Sequence, residues 1–241
     1  SLAPAKPTPT AMTLWVLQSL HLLDYPGGRY TQIRCSPVDG LPTMVWNGQE
    51  GLRLSRCVDP VCSSWTQPVT LSADPNPRFI RMEFSLGLPV LVYAAANDTE
   101  LHVTRCTDQA CAAMRTLVVG RAQTVRHPGL SVTEEGEVVV AAELSNASLA
   151  PTGCTLTLLL VATDPLAVLR SVEVDRSATP YVHNASRLPT GGFEAPSLFA
   201  GGRHLAYWRA QSRSLVLILD AMRTNATRLL VDATASSAAS S

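Results

Sequence analysis

The feature that most constrains this chain is its self-similarity. The stretch Gly40-Leu-Pro-Thr-Met-Val-Trp46 leads to Leu52-Arg-Leu-Ser-Arg-Cys57-Val-Asp59-Pro-Val-Cys62. Gly87-Leu-Pro-Val-Leu-Val-Tyr93 leads in the same way to Leu101-His-Val-Thr-Arg-Cys106-Thr-Asp108-Gln-Ala-Cys111. The glycines lie 47 residues apart and the aspartates 49. A third copy runs from Gly136-Glu-Val-Val-Val-Ala-Ala142 to Thr157–Ala167, and a fourth from Gly202-Arg-His-Leu-Ala-Tyr-Trp208 to Leu215–Asp220. Each copy is flanked by two further short apolar stretches, so each unit reads as four strands of ordinary length. Strict alternation, as in Leu101-His-Val-Thr-Arg, marks half-buried strands, and Pro and Gly punctuate between the runs. Four-stranded units recurring every 40 to 50 residues predict propeller blades, because one small sheet cannot bury both faces without neighbours.

The fold expected is therefore all-β: a small β-propeller of about four four-stranded blades with an extra N-terminal strand. The units fall at about 30–71, 79–119, 125–174 and 193–231, within a repeat domain spanning 13–232. The extra strand is Thr13–Leu20, which matches the outermost strand of a unit but has no blade ahead of it; it is expected to pair at a sheet edge, in its own ring or in another molecule. A Pro/Thr-rich extended segment, 1–12, and an Ala/Ser-rich tail, 233–241, flank the domain.

The units resemble a family of extracellular propeller-type repeats with the pattern G-L-P-V-x-x-Y … L-x-V-x-R-C-x-D-x-x-C. The resemblance is close in the first two units and looser in the last two. It implies the fold and no particular activity.

The six cysteines are an even count and show no zinc spacing. Cys57 and Cys62 recur as Cys106 and Cys111, and both are replaced together by Ala162 and Ala167 in the third unit. Loss in pairs predicts local Cys57–Cys62 and Cys106–Cys111 bridges. Cys35 and Cys154 remain, expected either to bridge within the chain or to join neighbouring subunits. Four N-x-S/T sequons, at Asn97, Asn146, Asn184 and Asn225, join the cysteines in pointing to an extracellular or cell-surface glycoprotein. Three of the sequons map to the face of the b–c and d–a loops, and the cysteine-clipped turns to the other; Asn225 is the exception.

Formal net charge is zero, with 19 basic and 19 acidic residues, so no field attracts nucleic acid. The longest apolar runs, 158–161 and 215–219, are too short to insert in a membrane. Asp59, Asp108 and Asp164 recur at one point of the hairpin and read as turn residues rather than metal ligands. The histidines are scattered, and His102 takes a solvent-alternating position. No nucleophile elbow, phosphate loop or dinucleotide fingerprint occurs, and Ser72-Ala-Asp74-Pro-Asn lacks the glycine and tryptophan of a sialidase Asp-box. Glu134, Glu135 and Glu137 surround a turn. Trp46 and Trp208 share the strand position of Tyr93, which predicts packing between blades; with Trp15 and Trp65 they are the candidates for a sugar-stacking platform.

No catalytic, cofactor or metal site is predicted, and no enzyme. The expected role is a structural one, as subunit of an extracellular fibril, surface layer or appendage, self-associating or joining other extracellular glycoproteins. The alternative is a carbohydrate-binding or adhesion module of lectin type, with glycans as partners.

Overall fold

The computed structural model describes residues 29–232, apart from 75, 96, 146–152, 178–192, 211 and 223–226. Sixteen strands make four antiparallel sheets, each a four-stranded meander in sequence order. The first blade holds β1 (Arg29–Cys35), β2 (Pro42–Gly48), β3 (Gly51–Arg56) and β4 (Val69–Ser72). The second holds β5 (Arg78–Ser85), β6 (Leu88–Ala95), β7 (Glu100–Cys106) and β8 (Met114–Arg121). β9 (Thr124–Val132), β10 (Val138–Ser145), β11 (Cys154–Thr163) and β12 (Leu166–Ser177) form the third. The fourth comprises β13 (Phe193–Phe199), β14 (His204–Arg209), β15 (Ser214–Leu219) and β16 (Thr227–Asp232). This is the all-β architecture of small radial blades that the repeat predicts.

The inner strands β1, β5, β9 and β13 touch in that order around the axis. Between the blades lie three apolar clusters. Val45, Leu52 and Leu54 of the first blade meet Ile80, Met82, Leu91 and Tyr93 of the second. Val90, Val92 and Val103 meet Val125, Val138 and Val140. Ala141, Leu156 and Leu158 meet Leu205, Tyr207 and Val216. β6 and β10 contribute alternate residues to the clusters on either side, because successive side chains point to opposite faces of a strand. At roughly 1.5 to 3 kcal/mol for each fully buried Leu, Val or Met, these seams dominate the stability. Among the described residues, no fourth cluster joins the last blade to the first, and the expected strand Thr13–Leu20 lies outside the described residues.

The disulfides close the c–d turns, Cys57 to Cys62 and Cys106 to Cys111, with Cα separations of 4.9 and 4.8 Å. Asp59 shapes the first turn: its Oδ1 accepts from the amides of Val61 (3.0 Å) and Ser63 (3.1 Å), and its carbonyl from Cys62 N–H at 3.1 Å. Asp108 does the same for Ala112 and Ala113, both at 3.1 Å. These are turn aspartates, as their recurrence suggests. The two remaining cysteines do not join each other. Cys35 is exposed at the end of β1 and Cys154 is buried at the start of β11, at opposite ends of their blades. A buried sulfur at one end cannot reach the other end of a blade, and a bridge to a second molecule would first have to uncover it.

Two side-chain placements differ from the sequence reading. Trp46 pairs across the sheet with Arg53, as Tyr93 does with His102, and is 2% exposed. In the fourth blade the residue at this register is Tyr207, which pairs with Val216 and is buried against the third blade; Trp208 lies on the other face and is half-buried. The a–b turn is the cause. His204 stands two residues after Gly202, at the register that Thr43 and Val90 reach three residues after Gly40 and Gly87. A shift of one residue moves a side chain to the opposite face. His102 is not a plain surface residue either: it is half-buried, its Nε2 lies 2.8 Å from Glu100 Oε2, and its ring lies 5.3 Å from that of Tyr93.

Candidate functional site: an aromatic arc at the mouth of the axis

Each inner strand carries a β-bulge at the same place. In the first blade Arg29 faces Asn47 and Gln32 faces Val45, so two residues oppose Trp46. Arg78 faces Ala94 and Arg81 faces Val92, leaving two opposite Tyr93. In β9 the two lie opposite Ala142, and in β13 opposite Tyr207. Within these bulges Tyr30, Phe79 and His127 have φ of 55°, 55° and 46°. Bulky residues rarely adopt this left-handed conformation, which costs of order 1–3 kcal/mol and persists only where the surroundings enforce it. Bulges next to functional sites commonly re-aim a side chain.

Here the three bulged rings meet. The Tyr30 and Phe79 centroids are 5.5 Å apart, and those of Phe79 and His127 are 5.0 Å apart at 67°. Edge and tilted contacts at this spacing are the favoured aromatic geometry. An arc of three rings, one from each of three consecutive blades, therefore crosses the mouth of the axis. Tyr30, at its end, is 40% exposed. Phe79 is seated more deeply, against the cluster between the second and third blades.

The arc lies at the start of the inner strands, the end where the b–c turns lie. The b–c turn of the second blade supplies Asp98, whose Oδ2 is 3.0 Å from Arg78 Nη1, while its backbone carbonyl accepts from Val125 N–H. This contact fixes the rim between the second and third blades. Asn97, beside Asp98, is exposed. The other sequons, Asn146, Asn184 and Asn225, lie outside the described residues.

Along the strands from the arc, Arg34 Nε on β1 holds Glu83 Oε1 on β5 at 3.0 Å. Arg81, between Phe79 and Glu83, is half-buried and donates through Nη1 to the carbonyl of Ile80 at 3.0 Å. Its pKa is lowered by burial first and by the charge of Arg34 second.

Two other polar clusters are structural. Glu143, buried on β10, accepts the amide of Phe193 at 2.8 Å and so docks the fourth blade. Asp175, buried on β12, accepts from Tyr207 Oη at 2.6 Å and pairs with Arg228 and Arg209. Burial and the Asp175 carboxylate push the Tyr207 phenol far above its ordinary pKa. Glu134 and Glu135 line a cavity of about 210 Å³ with Arg203, between the a–b turns of the third and fourth blades and so at the opposite end from the arc. The three described tryptophans do not form the platform considered above. Trp46 is buried, Trp65 bridges to Cys57 beside the disulfide, Trp208 lies in the fourth blade, and Trp15 is outside the described residues. Among the described residues no group of three His, Cys, Asp or Glu could hold a metal ion.

Sequence reasoning passed over the arc, yet a signal was present. Arg29-Tyr30, Arg78-Phe79 and Arg126-His127 repeat with the period of the blades, while the fourth unit has Glu194-Ala195 at that point.

No family model matches the chain, and no curated protein is similar to it in sequence. Among solved structures it is similar to an endo-arabinase from Bacteroides thetaiotaomicron, with a TM-score of 0.53 at 11% identity, over 85% of this chain and 79% of that one. A protein from Lactobacillus plantarum gives a TM-score of 0.50 at 12% identity, over 85% of this chain and 56% of that one. A looser similarity, TM-score 0.46 at 10% identity, is to an endo-1,4-beta-xylanase, also from Bacteroides thetaiotaomicron, over 85% and 75%.

The similarity to the endo-arabinase corrects two expectations, the structural fibril or surface-layer subunit and the absence of enzymatic character. The architecture is shared with an endo-arabinase, and a missing linear motif says little on such a scaffold. A site assembled from separate blades, whose repeats lie about 48 residues apart, leaves no contiguous signature. At these identities the resemblance establishes the fold: the chain is built on the β-propeller that an endo-arabinase uses.

Proposed function

We propose that the chain is a carbohydrate-recognising propeller that receives a glycan across Tyr30, Phe79 and His127. The observation that carries this reading is the arc itself: three ring-bearing residues, from three blades, held in strained bulges at one mouth of the axis. The C–H face of a sugar ring packs on an aromatic face, and Arg78, beside Phe79, can donate hydrogen bonds to its hydroxyls. The endo-arabinase scaffold supports the same class of ligand. Two disulfides favour an extracellular setting for such recognition.

Binding to arabinan, xylan and galactan, measured by calorimetry, tests the reading. Wild type is expected to bind at least one of them. Tyr30→Ala removes an exposed ring at little structural cost and should weaken that binding about tenfold, or about 1.4 kcal/mol. The same incubations are assayed for new reducing ends, which would add hydrolysis to recognition. A folded protein that binds no polysaccharide, or a Tyr30→Ala variant that binds as tightly as wild type, overturns the proposal.

A further inference from the structure

The register of the inner strands places a second set of residues on one face just beyond the arc. Gln32, Arg81, Gly129 and Ser197 occupy one level, facing Val45, Val92, Ala141 and Ala206 of the second strands. Two residues further on lie Arg34, Glu83, Ser131 and Phe199. Arg81 follows Phe79 by two positions, about 7 Å along a strand, so one ligand can touch both.

The charges at these two levels do not balance. Glu83 is the only carboxylate, and Arg34 takes it at 3.0 Å. Arg81 has its own neighbour's carbonyl as hydrogen-bond partner, and among the described residues no carboxylate lies within ion-pair distance of it. The third and fourth blades contribute Gly129, Ser131, Ser197 and Phe199, which carry no charge. Arg81 is half-buried beside a second guanidinium, and a partly desolvated cation near a like charge is stabilised by an anion from outside.

We infer that the glycan is acidic, and that Arg81, assisted by Arg34, receives its anionic group while the arc holds the sugar rings. This rests on the carbohydrate reading above. A carboxylate of a uronic acid and a sulfate ester share the chemistry: each offers two oxygens to the planar fork of a guanidinium. Because the chain has zero formal net charge, preference for an acidic polymer would come from this local site rather than from a general field.

The test compares polymers that differ in charge but not in backbone: polygalacturonate with its methyl ester, and dextran sulfate with dextran. Wild type is expected to bind one charged member at least tenfold more tightly than its neutral partner. The pair that responds identifies carboxylate or sulfate. Arg81→Gln should lose that preference. Arg81→Lys, which keeps the charge without the fork, should retain part of it. Tyr30→Ala should weaken charged and neutral binding alike. Equal binding of charged and neutral members by wild type, or an undiminished preference in Arg81→Gln, overturns the acidic-ligand inference and leaves the arc standing. Failure of every polymer to bind, with neutral arabinan and xylan failing too, overturns both.

Discussion

Asp59 and Asp175 illustrate two uses of a carboxylate in this fold. Asp59 organises an exposed turn, and the hydroxyl and amide of Ser63, with further backbone amides, hold its carboxyl below the usual 3.8. A depressed pKa in the folded state means that the stabilisation is present above the unfolded value and is lost as pH falls through the folded one. NMR titration should therefore find the Asp59 carboxyl more than half ionised at pH 3.8, where an unperturbed aspartate is half protonated. Asp175 is different, being buried between two blades with Tyr207, Arg209 and Arg228 as partners. Removing it takes the acceptor from a buried phenol, which keeps Arg228 Nη2 as donor at 3.0 Å, and the counter-charge from two guanidinium groups. Asp175→Ala should cost about 2 kcal/mol, below the usual range for a broken buried pair because Arg228 and Arg209 are partly exposed to screening solvent. A lower urea midpoint with an unchanged slope is the expected measurement.

Among the elements, the inner strands and the clipped hairpins bear the most weight. Gly129 on β9 faces the backbone of β13 so closely that an added Cβ would stand 2.5 Å from the carbonyl oxygen of Pro196. Backbone cannot give way as a flexible side chain can. Gly129→Ala should destabilise by about 1 to 3 kcal/mol, read as a lower melting temperature, by forcing apart the inner strands of the third and fourth blades. The two disulfides have equal loops but unequal settings. Cys106 and Cys111 are both fully buried in the cluster between the first and second blades, whereas Cys62 is half-exposed. So short a loop contributes less than the roughly 3 kcal/mol of a 15-residue one. Replacing both cysteines by serine should therefore be the more damaging at Cys106–Cys111, where two polar groups enter an apolar seam. Denaturant midpoints of the two double variants give the comparison.

At the scale of the molecule three seams among the described residues hold the blades together, and the last blade turns an apolar face away from the third. Leu217 pairs with Leu229 on that face, and Leu215 and Leu229 remain 43% and 46% exposed. Ile218, one residue along, is 5% exposed in the seam with the third blade. Leu229→Lys should alter stability by no more than about 0.5 kcal/mol, while Ile218→Lys should abolish cooperative unfolding, because it buries an unpaired charge. Equal damage from both would mean that the outward face is covered in solution.

The repeat was legible because each unit solves the same local problem. Alternation, glycine turns and cysteines lost in pairs are all encoded within about ten residues of chain. They determined the strands, the four sheets, the clipped turns and the turn aspartates. The fate of Trp208 was not legible, since a turn shorter by one residue reverses a face without altering the pattern of apolar letters. Nor was the site, although Arg29-Tyr30, Arg78-Phe79 and Arg126-His127 stood in the repeat. As letters they are ordinary strand residues, and a bulge that turns φ positive leaves no mark of its own in composition. Only the tertiary structure could bring rings from three blades within 5.0 to 5.5 Å and leave Arg81 without a carboxylate beside Arg34. The sequence specifies each blade because the contacts within a blade are local. The mouth of the axis depends on how separate blades meet, and that is a property of their packing.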